Sequence, residues 1–278
     1  MKNYSVQIVI PVYNSGKYLR RCLDSLKNQT FEHWQAVLID DGSTDDSAEI
    51  IFEYSRLDDR FSYTKQENSG VSAARNNALS RLDAEYTAFL DSDDYWESDM
   101  LEILYTKAKE SNADIVQCRY MYDYASGKQE VPPGVFKQDE CLDGKNLNKV
   151  YLKMMTGINM KHVCMKLIRT ALIEGLRFDS KLKTAEDLHF CIRLFKNVKK
   201  YCFINKPLYH YCRNENSITG KGLSFAEKFK ANKYVSKEMA KALPDWGIDR
   251  PHYRFLTYAR PYTIILSKVI RILREKFS

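Results

Sequence analysis

Apolar and polar residues alternate along the first ninety residues in segments of two kinds. Four short apolar segments, rich in β-branched or aromatic residues, predict strands at 6–10, 36–39, 61–65 and 86–90. The segments between them predict helices at 17–29, 47–56 and 70–82. Strands that alternate with helices are typical of an α/β fold, so we expect a mostly parallel sheet flanked by helices.

The pattern is less regular after residue 100. It predicts a helix at 100–111, a strand at 115–124 and a surface loop at 127–144, where two consecutive prolines occur. Short helices and strands are expected over 161–220, followed by a lysine-rich helix at 223–243. The apolar segments are all too short to span a bilayer.

The last residues of the chain combine an apolar stripe with basic side chains. From Pro261, which suits the first turn of a helix, apolar residues recur at helical spacing, while Lys268, Arg271 and Arg274 lie largely on the opposite side. We therefore expect a basic amphipathic helix over 261–278. Two roles fit such a helix: docking on an anionic membrane surface, and packing against the body of the protein or a second subunit.

Charge is unevenly distributed along the chain. The first hundred residues hold 10 basic and 18 acidic side chains and so carry −8; since the whole chain carries +7, the remainder carries +15. An acidic first part suits a site that uses a cation, and a basic second part suits an anionic ligand or surface. No nucleic-acid recognition module is apparent, so we expect no nucleic-acid partner.

The seven cysteines are scattered and form no Cys-x-x-Cys pair, which argues against a disulfide framework and against a structural zinc site. The first residues also lack the apolar segment of a signal peptide. Both features favour a cytoplasmic protein, with the basic tail as a means of reaching the inner face of the membrane.

Side chains suited to ligand binding follow the first, second and fourth predicted strands, namely Asn14, Asp40, Asp41, Asp91, Asp93 and Asp94. Ligands of such sheets bind outside the carboxyl ends of the strands, so these residues are expected to share one crevice. Carboxylates this close repel one another unless a cation lies between them, and oxygen ligands suit Mg²⁺ or Mn²⁺. The alternative is structural: aspartates are common in turns and at helix caps.

Four blocks of sequence occur in one order over the first hundred residues: Ile-Val-Ile-Pro-Val-Tyr-Asn at 8–14, Leu-Ile-Asp-Asp-Gly-Ser-Thr-Asp at 38–45, Asn-Ser-Gly-Val-Ser-Ala-Ala-Arg-Asn at 68–76 and Phe-Leu-Asp-Ser-Asp-Asp at 89–94. Together they closely resemble the family 2 inverting glycosyltransferases of the GT-A fold. The resemblance implies that Pro11, Tyr13 and Asp41 hold the nucleobase of a nucleotide-sugar donor. It also implies that Arg75 helps to fix the base and the phosphates.

The same resemblance assigns the carboxylates that follow the fourth strand. Asp91 corresponds to the carboxylate near the ribose, and Asp93 to the ligand of a Mn²⁺ or Mg²⁺ ion, with Asp94 as a helper. Met165-Lys166-Leu167 departs from the Asn-Lys-Leu form expected near the acceptor, which leaves an acceptor-side role for Lys166 in doubt.

Two later segments also resemble the family. Ala-Glu-Asp-Leu-His-Phe at 185–190 is similar to its Glu-Asp element, whose aspartate is the general base, here Asp187. Tyr-His-Tyr-Cys-Arg-Asn at 209–214 resembles its mobile C-terminal segment, in which a basic residue meets the diphosphate. Arg213 is favoured over His210 for that contact because a guanidinium offers a planar fork to a phosphate.

The implied organisation is a GT-A catalytic domain over 1–220, with a nucleotide-sugar half at 1–100 and an acceptor-side half at 101–220, followed by a helical, basic extension at 221–278. The implied reaction is a single displacement with inversion. A sugar passes from a nucleotide diphosphate, most simply UDP, to a glycan or lipid-linked acceptor in surface polysaccharide synthesis.

Two other functions fit parts of the sequence. A nucleotidyltransferase shares the α/β sheet and the carboxylates, but the glycine-rich basic loop that would cradle a triphosphate is missing. A non-catalytic sugar-nucleotide or glycan-binding protein of the same fold is the second alternative, and the presence of Asp91, Asp93 and Asp187 together argues against it.

Overall fold

The computed structural model, which describes residues 4–156, 159–213 and 222–263, is built on one ten-stranded sheet. Its strands are β1 Val6–Val12, β2 Trp34–Asp40, β3 Phe61–Lys65, β4 Tyr86–Phe89, β5 Tyr95–Trp96, β6 Ile115–Tyr124, β7 Gln129–Glu130, β8 Glu140–Asp143, β9 Lys166–Arg169 and β10 Lys200–Arg213. The helices are α1 Gly16–Lys27, α2 Ser47–Leu57, α3 Val71–Leu79, α4 Met100–Ser111, α5 Asn148–Thr156, α6 Glu186–Leu194, α7 Phe225–Ala242 and α8, described over 251–263.

The main path of the sheet runs in the order β3-β2-β1-β4-β9-β6-β10-β5. The first four of these strands are parallel, as are β6 and β10, whereas β9 lies antiparallel between β4 and β6. The predicted α/β class is therefore confirmed, with a parallel first half and a mixed second half. The strands predicted for the first half all form, within a few residues of the expected bounds.

Burial explains why the first half was readable from sequence. All seven residues of β1 are buried, as expected for a central strand of a sheet that is covered on both faces. The buried face of α1 consists mainly of Leu19, Cys22, Leu23 and Leu26, which recur at helical spacing.

The expectation of a surface loop over 127–144 is wrong in part. β7 and β8 form within it, because β7 pairs with the end of β6 and β8 pairs with the start of β10. Two- and four-residue strands carry little periodicity of their own, so only their partners define them.

The argument against disulfides is also corrected. Cys141 of β8 and Cys202 of β10 face each other as cross-strand partners and form a disulfide. The antiparallel register brings the two side chains together across 61 residues of sequence, which no local spacing reveals. The other five cysteines are free and buried.

The C-terminal helix begins earlier than predicted. α8 already includes residue 251, so Pro261 lies inside the helix, and Pro251 occupies its first turn. Residues 264–278 lie outside the described residues, and they include the three basic side chains predicted to lie opposite the apolar stripe, Lys268, Arg271 and Arg274. Within the described ranges, no helix combines the length and the apolar composition needed to cross a membrane. The domain bounds stay a prediction.

Candidate active site

A cavity of about 1100 Å³ lies at the carboxyl ends of β1, β2 and β4. Seven of the eight residues predicted from the sequence line it, namely Pro11, Tyr13, Asp41, Arg75, Asp91, Asp93 and Asp187. Five of them, namely Pro11, Tyr13, Asp41, Asp91 and Asp93, follow from the rule that parallel strands end at one edge of the sheet, whereas Arg75 reaches the cavity from α3. Asp187 reaches the same cavity from the first turn of α6, so the structure joins the two distant motifs in one site.

Arg75 connects the carboxylates of this cavity. Its guanidinium donates from Nη2 to Asp91 Oδ1 at 2.8 Å and from Nη1 to Asp187 Oδ1 at 2.7 Å, and Nη1 lies 3.8 Å from Glu186 Oε1. The Arg75 side chain is only 4% exposed, and its guanidinium carbon lies 5.2 Å from the centre of the Phe178 ring. Burial lowers the pKa of Arg75, but the charges of Asp187 and Asp91 outweigh it, and the net shift is upward.

Asp41 is held in place by the loop that precedes α3. Its Oδ1 accepts from Gln66 Nε2 and from the Ser69 amide, each at 2.8 Å, and its Oδ2 accepts from the Gly70 amide at 2.7 Å. Gly70 has φ of 88°, a conformation that favours glycine, so this short approach to Asp41 depends on the residue type. Asp40, in contrast, turns inward and accepts from the Ser43 amide, three residues on, which is a structural role in the turn after β2.

The turn after β4 divides its three aspartates between two environments. Asp91 and Asp93 line the cavity, whereas Asp94 is 2% exposed and accepts from Tyr209 Oη at 2.6 Å and from the Cys212 amide at 2.8 Å. Burial and the charges of Asp93 and Asp91 raise the pKa of Asp94 well above its ordinary value. Asp94 thus fastens the turn to β10, which positions Asp93 at the cavity wall.

The donor set at this turn fits a magnesium or manganese ion. In the described residues, no three His, Cys, Asp or Glu side chains converge on a metal position. Mg²⁺ does not require such a cage, because it commonly binds through one or two carboxylates together with waters and substrate phosphates. Asp93, with Asp91 on the same turn, supplies that kind of partial site.

Arg213 and His210, the two residues weighed for the diphosphate contact, both lie outside the cavity lining. Arg213 lies at the end of β10, outside the cavity lining, with its guanidinium carbon 4.3 Å from the centre of the Tyr122 ring. His210 is buried, and its two ring nitrogens each lie 2.9 Å from a carboxylate oxygen, one of Asp123 and one of Glu97. The residues after Arg213, at 214–221, lie outside the described part of the chain, so its contact with a diphosphate stays a prediction.

Lys166 is a buried structural residue in this structure. It is fully buried on β9, and its amine donates to the backbone carbonyls of His162 and Met160. Burial lowers the pKa of Lys166. This position gives no support to an acceptor-side role for Lys166, which the departure from the family pattern had already left in doubt.

The other side of the cavity comes from parts of the chain without a recognisable motif. It is formed by α5, α7, α8 and the segment after residue 160, through residues that include Leu152, Met155, Lys161, His162, Lys228, Asn232, Leu256 and Arg260. Besides Arg75, the lining includes the basic side chains of Lys161, Lys183, Lys228 and Arg260. The only sequence signal for this face was the excess positive charge after residue 100.

Glu186 is expected to make folding stability fall as the pH rises from about 4.5 to 7. Burial, and then the charge of Asp187, raise the pKa of Glu186 from 4.5 to about 7. The folded state therefore holds this proton more tightly than the unfolded state, and its contribution is complete below pH 4.5 and lost above 7. Glu186→Gln should remove that slope and raise the thermal midpoint at about pH 8 relative to wild type.

The control for this prediction is Glu174→Gln, which changes an exposed carboxylate outside the cavity. Its midpoint should follow the wild-type profile at every pH. Parallel profiles for wild type and Glu186→Gln, measured by thermal unfolding at closely spaced pH values, would show that Glu186 is not perturbed.

Comparison with known proteins agrees with this architecture. A family model described as glycosyl transferase family 2 matches residues 7–176. Glycosyltransferase GlyA of Streptococcus pneumoniae is 37% identical over 225 residues, which cover 77% of this chain and 31% of GlyA. The chain thus spans about a third of the length of this relative.

Two solved structures share the fold. Staphylococcus aureus TarS in complex with UDP-GlcNAc has a TM-score of 0.73 and 24% identity, over 87% of this chain and 71% of that one. Mannosyltransferase PcManGT from Pyrobaculum calidifontis, in complex with GDP-Man and Mn²⁺, has a TM-score of 0.59 and 16% identity, over 96% and 76% of the two chains. The family model covers more than half of the chain, and the chain belongs to glycosyltransferase family 2.

Proposed function

We propose that this protein transfers a sugar from a nucleotide-diphosphate donor, with UDP as the nucleotide, to a glycan or lipid-linked acceptor in surface polysaccharide synthesis, and that the sugar inverts its anomeric configuration. The observation that carries the proposal is the position of Arg75. One guanidinium contacts both Asp91, on the turn that bears the metal-binding candidate, and Asp187, the candidate base. A donor and an acceptor could thus meet across a single buried cation.

The nucleotide side of the cavity supports a rigid donor site. Asp41 is held by a side-chain amide and two backbone amides, so its carboxylate is positioned before any ligand arrives. Pro11 and Tyr13 lie beside it at the end of β1, and Tyr13 is 39% exposed, which leaves an aromatic face for a nucleobase. Preorganised groups of this kind lower the entropic cost of binding. The UDP complex of TarS supports the choice of uridine.

The catalytic step assigned to this chain is proton removal by Asp187. A hydroxyl is a poor nucleophile at neutral pH, so a carboxylate must accept its proton as it attacks the anomeric carbon. Arg75 donates to Oδ1 of Asp187 and so orients the carboxylate, and we expect the acceptor hydroxyl to approach Oδ2. No covalent enzyme intermediate is needed, and the displacement inverts the anomeric carbon.

A divalent cation held at Asp93 would supply positive charge to the departing diphosphate. Charge accumulates on that group in the transition state, and stabilising it is commonly the largest catalytic contribution. Arg213 remains the proposed second contact of the diphosphate. The Mn²⁺ complex of PcManGT supports the choice of metal.

Asp93→Asn is expected to abolish metal-dependent UDP binding. UDP with Mn²⁺ or Mg²⁺ should raise the thermal midpoint of the wild type, because a ligand that binds only the folded state stabilises it. EDTA should remove most of that shift in the wild type, and Asp93→Asn should show little shift in any condition. The measurement is thermal unfolding with a panel of nucleoside diphosphates and nucleotide sugars.

Asp99→Asn is the matched control, since Asp99 follows the same turn but forms a surface ion pair with Lys206 and does not line the cavity. It should keep the full shift. If no nucleotide stabilises the wild type with either metal, the proposed donor site is contradicted. If a nucleoside triphosphate stabilises it more than any nucleotide sugar does, a nucleotidyltransferase becomes the better description.

A further inference from the structure

Arg260 is a buried cation in the wall of the active-site cavity. It lies on α8, is 8% exposed and lines the cavity. Among the residues that the structure describes, its side chain donates from Nη1 to Asn232 Oδ1 on α7, at a long 3.4 Å, and its Nε has no partner. Within the described ranges no carboxylate forms an ion pair with it, and burial lowers the pKa of Arg260 to about 10.

Such an arrangement is costly for the protein alone. A buried charge without a counter-ion loses its hydration and regains little, so buried arginines are ordinarily paired with carboxylates, as Arg75 is here. The two buried arginines of the cavity therefore differ in kind. Arg75 is paired with carboxylates of the protein, whereas the part of the chain that the structure describes offers Arg260 no anion, and a ligand could supply one.

A second basic residue of the cavity wall is connected to Arg260 through Asn232. Lys228, one turn before Asn232 on α7, also lines the cavity, and its carbonyl accepts from the Asn232 side chain at 2.8 Å. That bond turns the amide oxygen of Asn232 toward Arg260. A planar guanidinium and a lysine amine that line the same cavity supply donors that suit a phosphate, which can accept several charge-assisted hydrogen bonds.

The position of Arg260 places this anion on the acceptor side of the cavity. The nucleotide candidates lie at the ends of β1 and β2, whereas α7 packs against α6, which carries Asp187. The acceptor hydroxyl must reach Asp187, so the acceptor must lie next to α6 and α7. A cavity of about 1100 Å³ exceeds the roughly 300–1,000 Å³ of ordinary ligand sites, which leaves room for a second substrate.

We propose that Arg260 and Lys228 form a phosphoryl-binding subsite for the acceptor, and hence that the acceptor carries a phosphodiester or diphosphate group close to the hydroxyl that is glycosylated. This inference rests on the proposed function, which defines the acceptor as the molecule that receives the sugar. The subsite binds and orients; it takes no part in bond making, so Arg260 is a positioning residue.

The test is a titration of the full chain with inorganic phosphate, and with glycerophosphoglycerol as a phosphodiester, in the presence and absence of saturating UDP and Mg²⁺. Both probes should bind the UDP-loaded wild type, seen as heat in calorimetry and as a raised thermal midpoint. Arg260→Gln should weaken that binding on the order of tenfold or more, since hydrogen bonds to charged groups are the strong ones. UDP affinity should stay within about twofold of wild type.

Arg254→Gln is the matched control, because Arg254 lies on the same helix but is exposed and paired with Asp249. It should bind both probes as the wild type does. Arg260→Gln should fold, since the substitution removes a buried charge that has no carboxylate partner in the described chain, and its midpoint without ligand should not fall.

The remaining outcomes separate the sources of the phosphate. A tenfold loss of UDP affinity in Arg260→Gln would assign Arg260 to the donor diphosphate and overturn the acceptor subsite. Equal probe binding by wild type and Arg260→Gln, or no probe binding by UDP-loaded wild type, would overturn it as well. If UDP fails to bind at all, the proposed function fails, while an Arg260-dependent response to the probes alone would still support the anion subsite.

Discussion

Asp187→Asn is expected to lower the turnover number by about 10²–10⁴-fold, the range that a positioned general base contributes. The amide keeps the shape of the carboxylate and its place in the first turn of α6 but cannot accept the proton of an acceptor hydroxyl. UDP binding should change little, because the nucleotide candidates lie on other elements of the cavity. The measurement is UDP release from the nucleotide sugar that best stabilises the protein.

The control is Asp245→Asn, which removes a carboxylate that is 48% exposed and pairs with Lys196 at the surface. Exposed ion pairs contribute little, so its turnover should match the wild type. A rate for Asp187→Asn within about tenfold of wild type, with UDP binding intact, would mean that another group removes the proton.

Arg75→Met is expected to lower the free energy of unfolding by about 3–5 kcal/mol, the usual loss when one partner of a buried ion pair is removed. Methionine fills part of the space, but it leaves Asp91, Asp187 and Glu186 facing one another without a cation. Their mutual repulsion raises the cost of ionisation. The loss should therefore shrink as the pH is lowered and these carboxylates become protonated. Denaturant unfolding at about pH 8 and pH 5 measures both quantities.

Arg20→Met provides the comparison, because Arg20 pairs with Glu53 at the same 2.7 Å that separates Arg75 from Asp187, but with both side chains about half exposed. The free energy of unfolding of Arg20→Met should be close to that of wild type, since solvent screens an exposed ion pair. If both variants lose equally little free energy of unfolding, other groups must offset the repulsion among the partly buried carboxylates around Arg75, and the central role assigned to Arg75 is wrong.

Asp187→Asn and Arg75→Met both test whether the candidate base depends on the residues of the donor site. Arg75 donates to Asp91 and Asp187 with two nitrogens of one rigid group. A movement of either carboxylate should therefore shift the guanidinium and, with it, the other carboxylate. Metal or nucleotide binding near Asp91 would in this way act on the orientation of Asp187. Arg75→Met should accordingly impair turnover more than UDP binding.

Local pattern was sufficient for the first half of the fold. The buried strand β1 reads as a continuous apolar segment, α1 has its apolar stripe, and the aspartates after β2 and β4 follow apolar strands directly. Parallel strands end at one edge, so the shared position of Asp41, Asp91 and Asp93 followed from order alone. The four sequence blocks carried the family, which the family model confirms.

The pattern of apolar and polar residues could not predict which residues of one motif face the cavity and which are buried. Asp91, Asp93 and Asp94 are equivalent in the sequence, yet Asp94 turns inward to Tyr209 and Cys212 on β10. The sequence likewise offered Arg213 as the phosphate contact, and pattern alone did not reveal that its guanidinium lies against the Tyr122 ring. Side-chain direction depends on the partner that packing supplies, and those partners lie more than a hundred residues away in the case of Asp94.

What the sequence determined by itself is the order of strands and helices in the nucleotide half, the carboxylates at the strand ends and the family. Only the tertiary structure decided that Arg75 contacts Asp187 across 112 residues, that Cys141 faces Cys202, and that Arg260 lines the cavity with no counter-ion among the described residues. The physical reason is that periodicity records which face of an element is buried, whereas ion pairing and burial of single charges depend on which distant elements pack together.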